Sequence, residues 1–143
     1  MTKKFWEYAI SGDTRRHAQR GGGPATDYET PMGTPVHMPI TGKVTRKWFD
    51  DAGHTIDIEN SKYIVRICHL SRITKTGRRL WRTVVAYSGA SGRVTGPHVH
   101  AYVIIKRTGK RVSFTEWLRD YVHKGKPSKL PAATRAFIKS GKP

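Results

Sequence analysis

Residues 96–105 read GPHVHAYVII, and this stretch decides how the rest of the chain is interpreted. A Gly-Pro pair ends a loop, and the apolar run after it is typical of a β-strand. Alternate residues of a strand face the same side of a sheet, so His98 and His100 would point the same way, about 6–7 Å apart. Such a pair belongs either to a polar, hydrogen-bonded strand face or to a metal site, since neutral imidazole is a common zinc ligand.

The neighbouring segments predict a β-rich domain, because they are short and are separated by turn residues. The other predicted strands include GKVTRKWF at 42–49, HTIDIE at 54–59, YIVRICHL at 63–70 and TVVAYSG at 83–89. The second and third of these are expected to form a tight hairpin. Helical spacing is found only in SFTEWLRDYVHK at 113–124, where Ser113 and Glu116 fit a capping box. The predicted fold is mainly β: an antiparallel sheet or sandwich followed by a C-terminal helix.

The chain of 143 residues is long enough for one domain with a substantial core. We assign residues 1–123 to this domain. Residues 124–143 carry six basic residues and no acidic one, which predicts a loosely packed basic tail. Cys68 is the only cysteine, so no intrachain disulfide is possible, and its apolar neighbours favour a core residue over a nucleophile.

The charge is strongly unbalanced, because 27 Lys and Arg against 10 Asp and Glu give a net charge of +17. No acidic residue lies between Glu59 and Glu116. This excess favours a polyanionic partner: nucleic acid, an acidic membrane surface or an anionic polymer. A nucleic-acid-binding module is one alternative, since RRLWR at 78–82 could contact phosphates and the four tryptophans could stack on bases. No recognised nucleic-acid motif is present, however, and we expect no nucleic-acid partner.

Three segments together resemble one known family. SGASGRVTGPHVHAYV at 88–103 is similar to the signature of the lysostaphin-type (LytM-like) zinc peptidases, which cleave peptides of bacterial peptidoglycan. DYETPMGTPVHMPITGKV at 27–44 and CHLS at 68–71 resemble two further segments of that family, in the same order. The resemblance extends from about residue 17 to about residue 105, and it implies a β domain whose sheet lines a groove.

The resemblance also implies a role for each matching residue. Asp27 and His100 would be ligands of one zinc ion, and His98 would take a proton from the metal-bound water. His69, on the neighbouring strand, would stabilise the developing charge. These roles agree with zinc chemistry, because zinc lowers the pKa of bound water toward ~7 and polarises the scissile carbonyl. Tyr8 could donate to the oxyanion; the alternative is an ordinary packed aromatic.

The first zinc ligand departs from the family pattern. Many members have a histidine four residues before the aspartate, where this chain has Gly23. The nearest upstream histidine is His17, and the GGGP stretch after it could loop out. We therefore predict His17, Asp27 and His100 as the metal ligands. The alternatives are an exposed His17 in a basic loop with His37 as the replacement ligand, or a site that binds metal poorly.

The resemblance leads to a functional hypothesis. The chain would be a zinc-dependent endopeptidase of peptidoglycan. Its expected partners are the wall itself and anionic wall polymers, and we expect a monomer. A catalytically inactive wall-binding member is the alternative. The N-terminus lacks the apolar region of a signal peptide, and no segment approaches a membrane span. We therefore expect a protein made in the cytoplasm that reaches the wall by another route, as a phage endolysin or virion-associated lysin does.

Overall fold

Ten short strands form one antiparallel sheet in the computed structural model, which describes residues 3–141. The strands are β1 (Ile10–Gly12), β2 (Thr26–Tyr28), β3 (Pro35–His37), β4 (Gly42–Phe49), β5 (Gly53–Glu59), β6 (Tyr63–Ile73), β7 (Gly77–Arg79), β8 (Val84–Ser88), β9 (Val99–Ile105) and β10 (Lys110–Ser113). The α-helices are α1 (Thr14–Gln19), α2 (Phe114–Trp117) and α3 (Ala132–Lys139). Two 3₁₀ turns at Phe5–Glu7 and Pro127–Lys129 and a π-helical turn at Leu118–Val122 complete the helical segments of this range.

The centre of the sheet is the pair β6 and β9. The strand order is β1-β2-β9-β6-β5-β4-β7, with β10 also on β9 and with β8 joining β3 to β6. Arg66 lies opposite Tyr102 and Cys68 lies opposite His100, so these four side chains share one face. Their neighbours on the other face are fully buried: Val65, Ile67, Val99, Ala101 and Val103. One face of the central pair therefore builds the core, and the other is available for a site.

The predicted hairpin and the predicted fold class are both confirmed. Strands β5 and β6 pair antiparallel across a short turn. The side chain of Asn60 fixes that turn, because its Oδ1 accepts hydrogen bonds of 2.8 Å from the backbone N–H groups of Lys62 and Tyr63. The mainly antiparallel sheet with a helix near the C-terminus is the architecture expected from the sequence.

Aromatic residues from both ends of the domain cover the core face of the sheet. The ring of Phe5 lies 5.5 Å from Tyr28 and 5.2 Å from Phe114. Ser113 caps α2 as predicted, since its hydroxyl accepts a hydrogen bond of 3.0 Å from the N–H of Glu116. The helix is shorter than predicted, because its α-helical hydrogen bonds give way to a π-helical turn after Trp117.

The C-terminal segment is packed rather than loose. Leu130 and Thr134 are buried, and Ile138 packs against the hydrophobic core. Thr134 and Ile138 are four apart in α3 and so lie on the side that faces the domain, and Leu130 packs there from the turn that precedes the helix. Residues 124–129 are exposed, but residues 130–138 pack against the domain, which the basic composition of the segment conceals. The ends of both predicted domain ranges, residues 1–2 and 142–143, lie outside the described residues.

None of the helices between residues 3 and 141 is long and apolar enough to cross a membrane.

Candidate metal centre

The three predicted ligands come together at the edge of the central strands. Asp27 of β2 lies opposite His100 of β9, and the two side chains are hydrogen-bonded at 2.8 Å between His100 Nδ1 and Asp27 Oδ1. His17 approaches from α1, with its Nε2 3.1 Å from the second carboxylate oxygen. One potential ligand atom from each residue lies within 4.8 Å of the others. The structure thus assembles a donor set of two imidazoles and one carboxylate.

The helix α1 explains how His17 reaches this position. Asp13 caps the helix, since its Oδ1 accepts a hydrogen bond of 2.6 Å from the N–H of Thr14. The backbone carbonyl of Asp13 lies 2.8 Å from His17 Nδ1. A carbonyl can only accept, so Nδ1 carries a proton and Nε2 is directed at Asp27. His17 was considered either a ligand or an exposed loop residue; it lies on a helix and contacts the other predicted ligands.

Burial and hydrogen bonding set the ionisation of the cluster. Burial disfavours the charged form of Asp27, but hydrogen bonds from His100 and His17 outweigh it, so the pKa of Asp27 lies well below its ordinary value. Burial lowers the pKa of His100, and the contact with Asp27 reverses this only in part. At neutral pH the aspartate is therefore ionised and His100 is neutral. These are the forms in which both residues bind a metal.

The two predicted catalytic histidines stand beside this cluster. His98 precedes β9, and its Nε2 lies 3.7 Å from Asp27 Oδ1. The Nδ1 of His98 donates to the carbonyl of Gly96 at 3.1 Å, so in the neutral ring the free lone pair is on Nε2. The ring of His69 lies 4.7 Å from that of His98. Burial lowers the pKa of His69 to about 4, although its hydrogen bond to the Ser91 carbonyl opposes this, so His69 is neutral at pH 7.

A β-bulge brings His69 to the same face as Cys68. His54 of β5 pairs with Leu70 of β6, and Ile56 pairs with Ile67. Between these two pairs β5 advances by two residues and β6 by three, so β6 carries one extra residue. His69 has a φ of 65°, a left-handed conformation that is uncommon for residues other than glycine. Such local strain is typical of functional sites. Cys68 is buried beside it, and burial raises the pKa of its thiol to about 12, so it remains protonated at neutral pH.

Two loops in backbone contact form one wall of the site. Gly53 and Gly92 both have positive φ values, 69° and 86°. A Cβ atom on Gly53 would lie 2.4 Å from the carbonyl carbon of Ser91, and one on Gly92 would lie 2.5 Å from the carbonyl oxygen of Asp51. Both positions thus require glycine for space as well as for conformation. The backbone N–H of His69 donates to Ala52 in this wall at 2.8 Å.

The cluster lies in a groove made of two adjoining cavities. The smaller cavity, of about 330 Å³, is lined by Asp27, His98 and His100. The larger cavity, of about 560 Å³, extends over β6 and β9 to Tyr102 and Arg111. The groove predicted from the resemblance is therefore present, and it continues well beyond the three predicted ligands.

Two predicted candidates are not brought to the groove. Tyr8 packs against the core, and its ring contacts the Lys3 ammonium at 4.2 Å. It lines neither cavity, so its position does not support an oxyanion role. His37 lies buried in β3, which pairs with β8, and it also lines neither cavity. It is not placed to replace His17 as a ligand.

The comparison with known families identifies the domain. Residues 22–114 match the model of peptidase family M23. The chain belongs to this family. The match confirms the resemblance seen in the sequence. His17 precedes the matched range, so its position in the cluster is known from the structure alone.

Individual relatives of this M23 domain agree with the assignment. Peptidoglycan DD-endopeptidase ShyB of Vibrio cholerae is 43% identical over 86 residues, which are 57% of this chain and 20% of that protein. The structure of a zinc containing peptidase from Vibrio cholerae has a TM-score of 0.63 at 33% identity, covering 78% of this chain and 39% of that one. Lysostaphin from Staphylococcus simulans, at 21% identity, shares the fold, with a TM-score of 0.61 over 73% of this chain and 45% of that one. This chain thus spans about a fifth of the length of ShyB.

Three residues that support or line the groove were not predicted as site residues: Asp13, Tyr102 and Arg111. Asp13 was detectable, because an aspartate directly before a helix-compatible segment is an N-cap pattern. Nothing in the sequence marks Tyr102 and Arg111 as site residues, because AYVIIKRTGKR at 101–111 has the pattern of an ordinary strand and turn. Only the pairing of the strands shows that they share the groove with His100.

Proposed function

We propose that this M23 domain is a zinc-dependent endopeptidase that hydrolyses peptide bonds of bacterial peptidoglycan. The observation that carries the proposal is the cluster of His17, Asp27 and His100, with His98 3.7 Å from the shared carboxylate. Two imidazoles and one carboxylate form a donor set found in catalytic zinc sites, where three protein ligands leave a position open. Peptidoglycan as the substrate is supported by the name of the relative ShyB, a peptidoglycan DD-endopeptidase.

The residues around the cluster have separate roles in this proposal. Zinc, when bound by the three ligands, would acidify water and polarise the scissile carbonyl. His98 is oriented by the carbonyl of Gly96, and its Nε2 can accept the proton of the attacking water and return it to the leaving amine. His69 is neutral and donates its Nδ1 proton to Ser91, so it would stabilise the developing negative charge by taking up a proton on Nε2 as that charge forms.

The charge of the chain supports the proposed partner and setting. A net charge of +17 would concentrate the domain on an anionic wall. We propose peptidoglycan and anionic wall polymers as the partners of a monomer, and a phage endolysin or virion-associated lysin, made in the cytoplasm, as the biological setting. Lysis of whole bacteria by added protein, weakening as salt rises, is the expected result of this charge effect.

Cleavage of purified peptidoglycan tests the activity directly. New amino groups should be released with no new reducing sugar ends, a chelator should abolish the release, and added zinc should restore it. His98→Ala should keep its zinc and lose about 10²–10⁴-fold in turnover, because it removes a general base and no ligand. His69→Ala should lose about 10²–10³-fold. Tight, chelator-insensitive binding to DNA or RNA without amine release would instead support the nucleic-acid alternative.

A further inference from the structure

Four arginines line the larger cavity: Arg20 and Arg93 are exposed, and Arg66 and Arg111 are partly buried. Of the two partly buried ones, Arg111 has no carboxylate partner within residues 3–141. Arg111 of β10 lines the larger cavity, and its Nε donates to the carbonyl of Pro24 at 2.8 Å. Its guanidinium carbon lies 3.5 Å from the ring centroid of Tyr102. No aspartate or glutamate within residues 3–141 forms an ion pair with Arg111. Burial accordingly lowers its pKa from the ordinary value.

The neighbouring arginine differs in this respect. Arg66 forms two hydrogen bonds with Asp57, of 2.8 and 2.9 Å, and a third of 2.9 Å to the hydroxyl of Tyr102. Lys47 also contacts Asp57, at 2.7 Å. Arg66 therefore has a carboxylate partner, which it shares with Lys47, and its side chain holds the Tyr102 ring in place beneath Arg111. The positive charge of Arg111 is left uncompensated at the groove.

The backbone around Arg111 leaves space for this arrangement. A Cβ atom on Gly23 would lie 2.9 Å from the guanidinium carbon of Arg111. The guanidinium is thus bounded by Gly23, by the Pro24 carbonyl and by the ring of Tyr102. Taking an unpaired charge out of water is unfavourable, so a partly buried arginine held this way is expected to meet an anion from outside the protein.

We propose that Arg111 binds a free carboxylate of the peptide substrate, close to the bond that is cleaved. The ring of Tyr102 lies 6.2 Å from that of His100, and Arg111 lies 3.5 Å from the Tyr102 ring. These two steps place the guanidinium within about 10 Å of the His100 ring, the reach of roughly three extended residues. A guanidinium suits this ligand, because it can form two parallel hydrogen bonds with a carboxylate. The inference rests on the proposed peptidase function and adds a substrate preference to it.

The test compares cross-linked muropeptide dimers in two forms, native and with their carboxylates converted to amides. The wild-type domain, loaded with zinc, should cleave the amidated dimers with a kcat/KM about ten- to a hundredfold lower, mainly through KM. This comparison needs no variant. Arg111→Gln should lose a similar factor on native dimers and almost none on amidated ones. Lys110→Gln is the matched control: it removes the same charge from the adjacent, exposed position and should preserve the wild-type preference.

Two different failures are distinguishable. Equal cleavage of native and amidated dimers by the wild type, or an undiminished preference in a folded Arg111→Gln protein with full zinc content, would overturn the carboxylate subsite and leave the peptidase intact. No cleavage of either dimer or of whole peptidoglycan by the zinc-loaded wild type would overturn the peptidase and the subsite with it. Circular dichroism and zinc content measured on each variant ensure that a lost preference is not lost folding.

Discussion

Replacing Asp13 by alanine should weaken metal binding without removing a ligand. The carboxylate caps α1 through the N–H of Thr14, and α1 buries none of its own side chains. The cap is therefore a large part of what keeps the helix folded. Thr26 also donates to this carboxylate, at 3.2 Å, but it retains its hydrogen bond to Thr115 in the variant. The main loss is thus the cap, which contributes about 1 kcal/mol, within a range of about 0.5–2.

This loss should be measurable as zinc affinity. If α1 must be folded for His17 to bind, the free energy lost from the helix is subtracted from binding, and 1.4 kcal/mol corresponds to about tenfold. We expect zinc to bind Asp13→Ala about 2- to 30-fold more weakly than the wild type. Competition with a chromophoric chelator at pH 7 measures the ratio.

The matched control is Asp13→Asn, which keeps an oxygen that can cap the helix and should bind zinc within about twofold of the wild type, since Asn and Asp are similar caps. Thermal unfolding in the presence of a chelator shows whether the fold itself has changed. Wild-type affinity in Asp13→Ala would refute the role of the cap. An equal loss in both variants would show that the charge of Asp13 matters and not its capping oxygen.

His17→Ala should lower the zinc content of the purified protein as far as His100→Ala does, because each removes one of the three predicted ligands. Full zinc in His17→Ala by elemental analysis would mean that another residue completes the site. Asp57→Asn should destabilise the fold at pH 7 and much less near pH 2. Burial opposes ionisation of Asp57, but the hydrogen bonds it accepts from Arg66 and Lys47 outweigh burial and hold its pKa below 3.8. The stability that these contacts supply is therefore lost as the pH falls through the folded pKa. Urea unfolding at both pH values measures the loss, and equal losses at the two pH values would contradict this reasoning. Leu130→Ala should lower the free energy of unfolding by about 2–5 kcal/mol, because it leaves a cavity under the C-terminal segment; a loss below about 0.5 kcal/mol would show that this segment contributes little.

The positions of Asp27, His98 and His100 could be predicted, because they follow from strand alternation and from the family signature. Strand alternation places His98 and His100 on one face, and the family signature aligns Asp27 with them. The structure adds that Asp27 and His100 are directly opposite in register. Metal ligation by these residues stays a prediction.

Other features depend on contacts that a single sequence does not encode locally. Alternation would place Cys68 and His69 on opposite faces, and only the bulge brings both to the groove. The packing of Ile138 depends on an N-terminal segment more than a hundred residues away. The unpaired charge of Arg111 is recognisable only once every nearby carboxylate has been assigned to another partner.

The two sides of the groove differ in how firmly they are held. On one side Gly53 and Gly92 bring two backbone segments into direct contact, so no side chain lies between them. On the opposite side α1 buries nothing and rests on a cap and a few polar contacts. Segments with few buried contacts open at the lowest free energy. The groove should therefore widen from one side only, by movement of α1, the helix that carries His17.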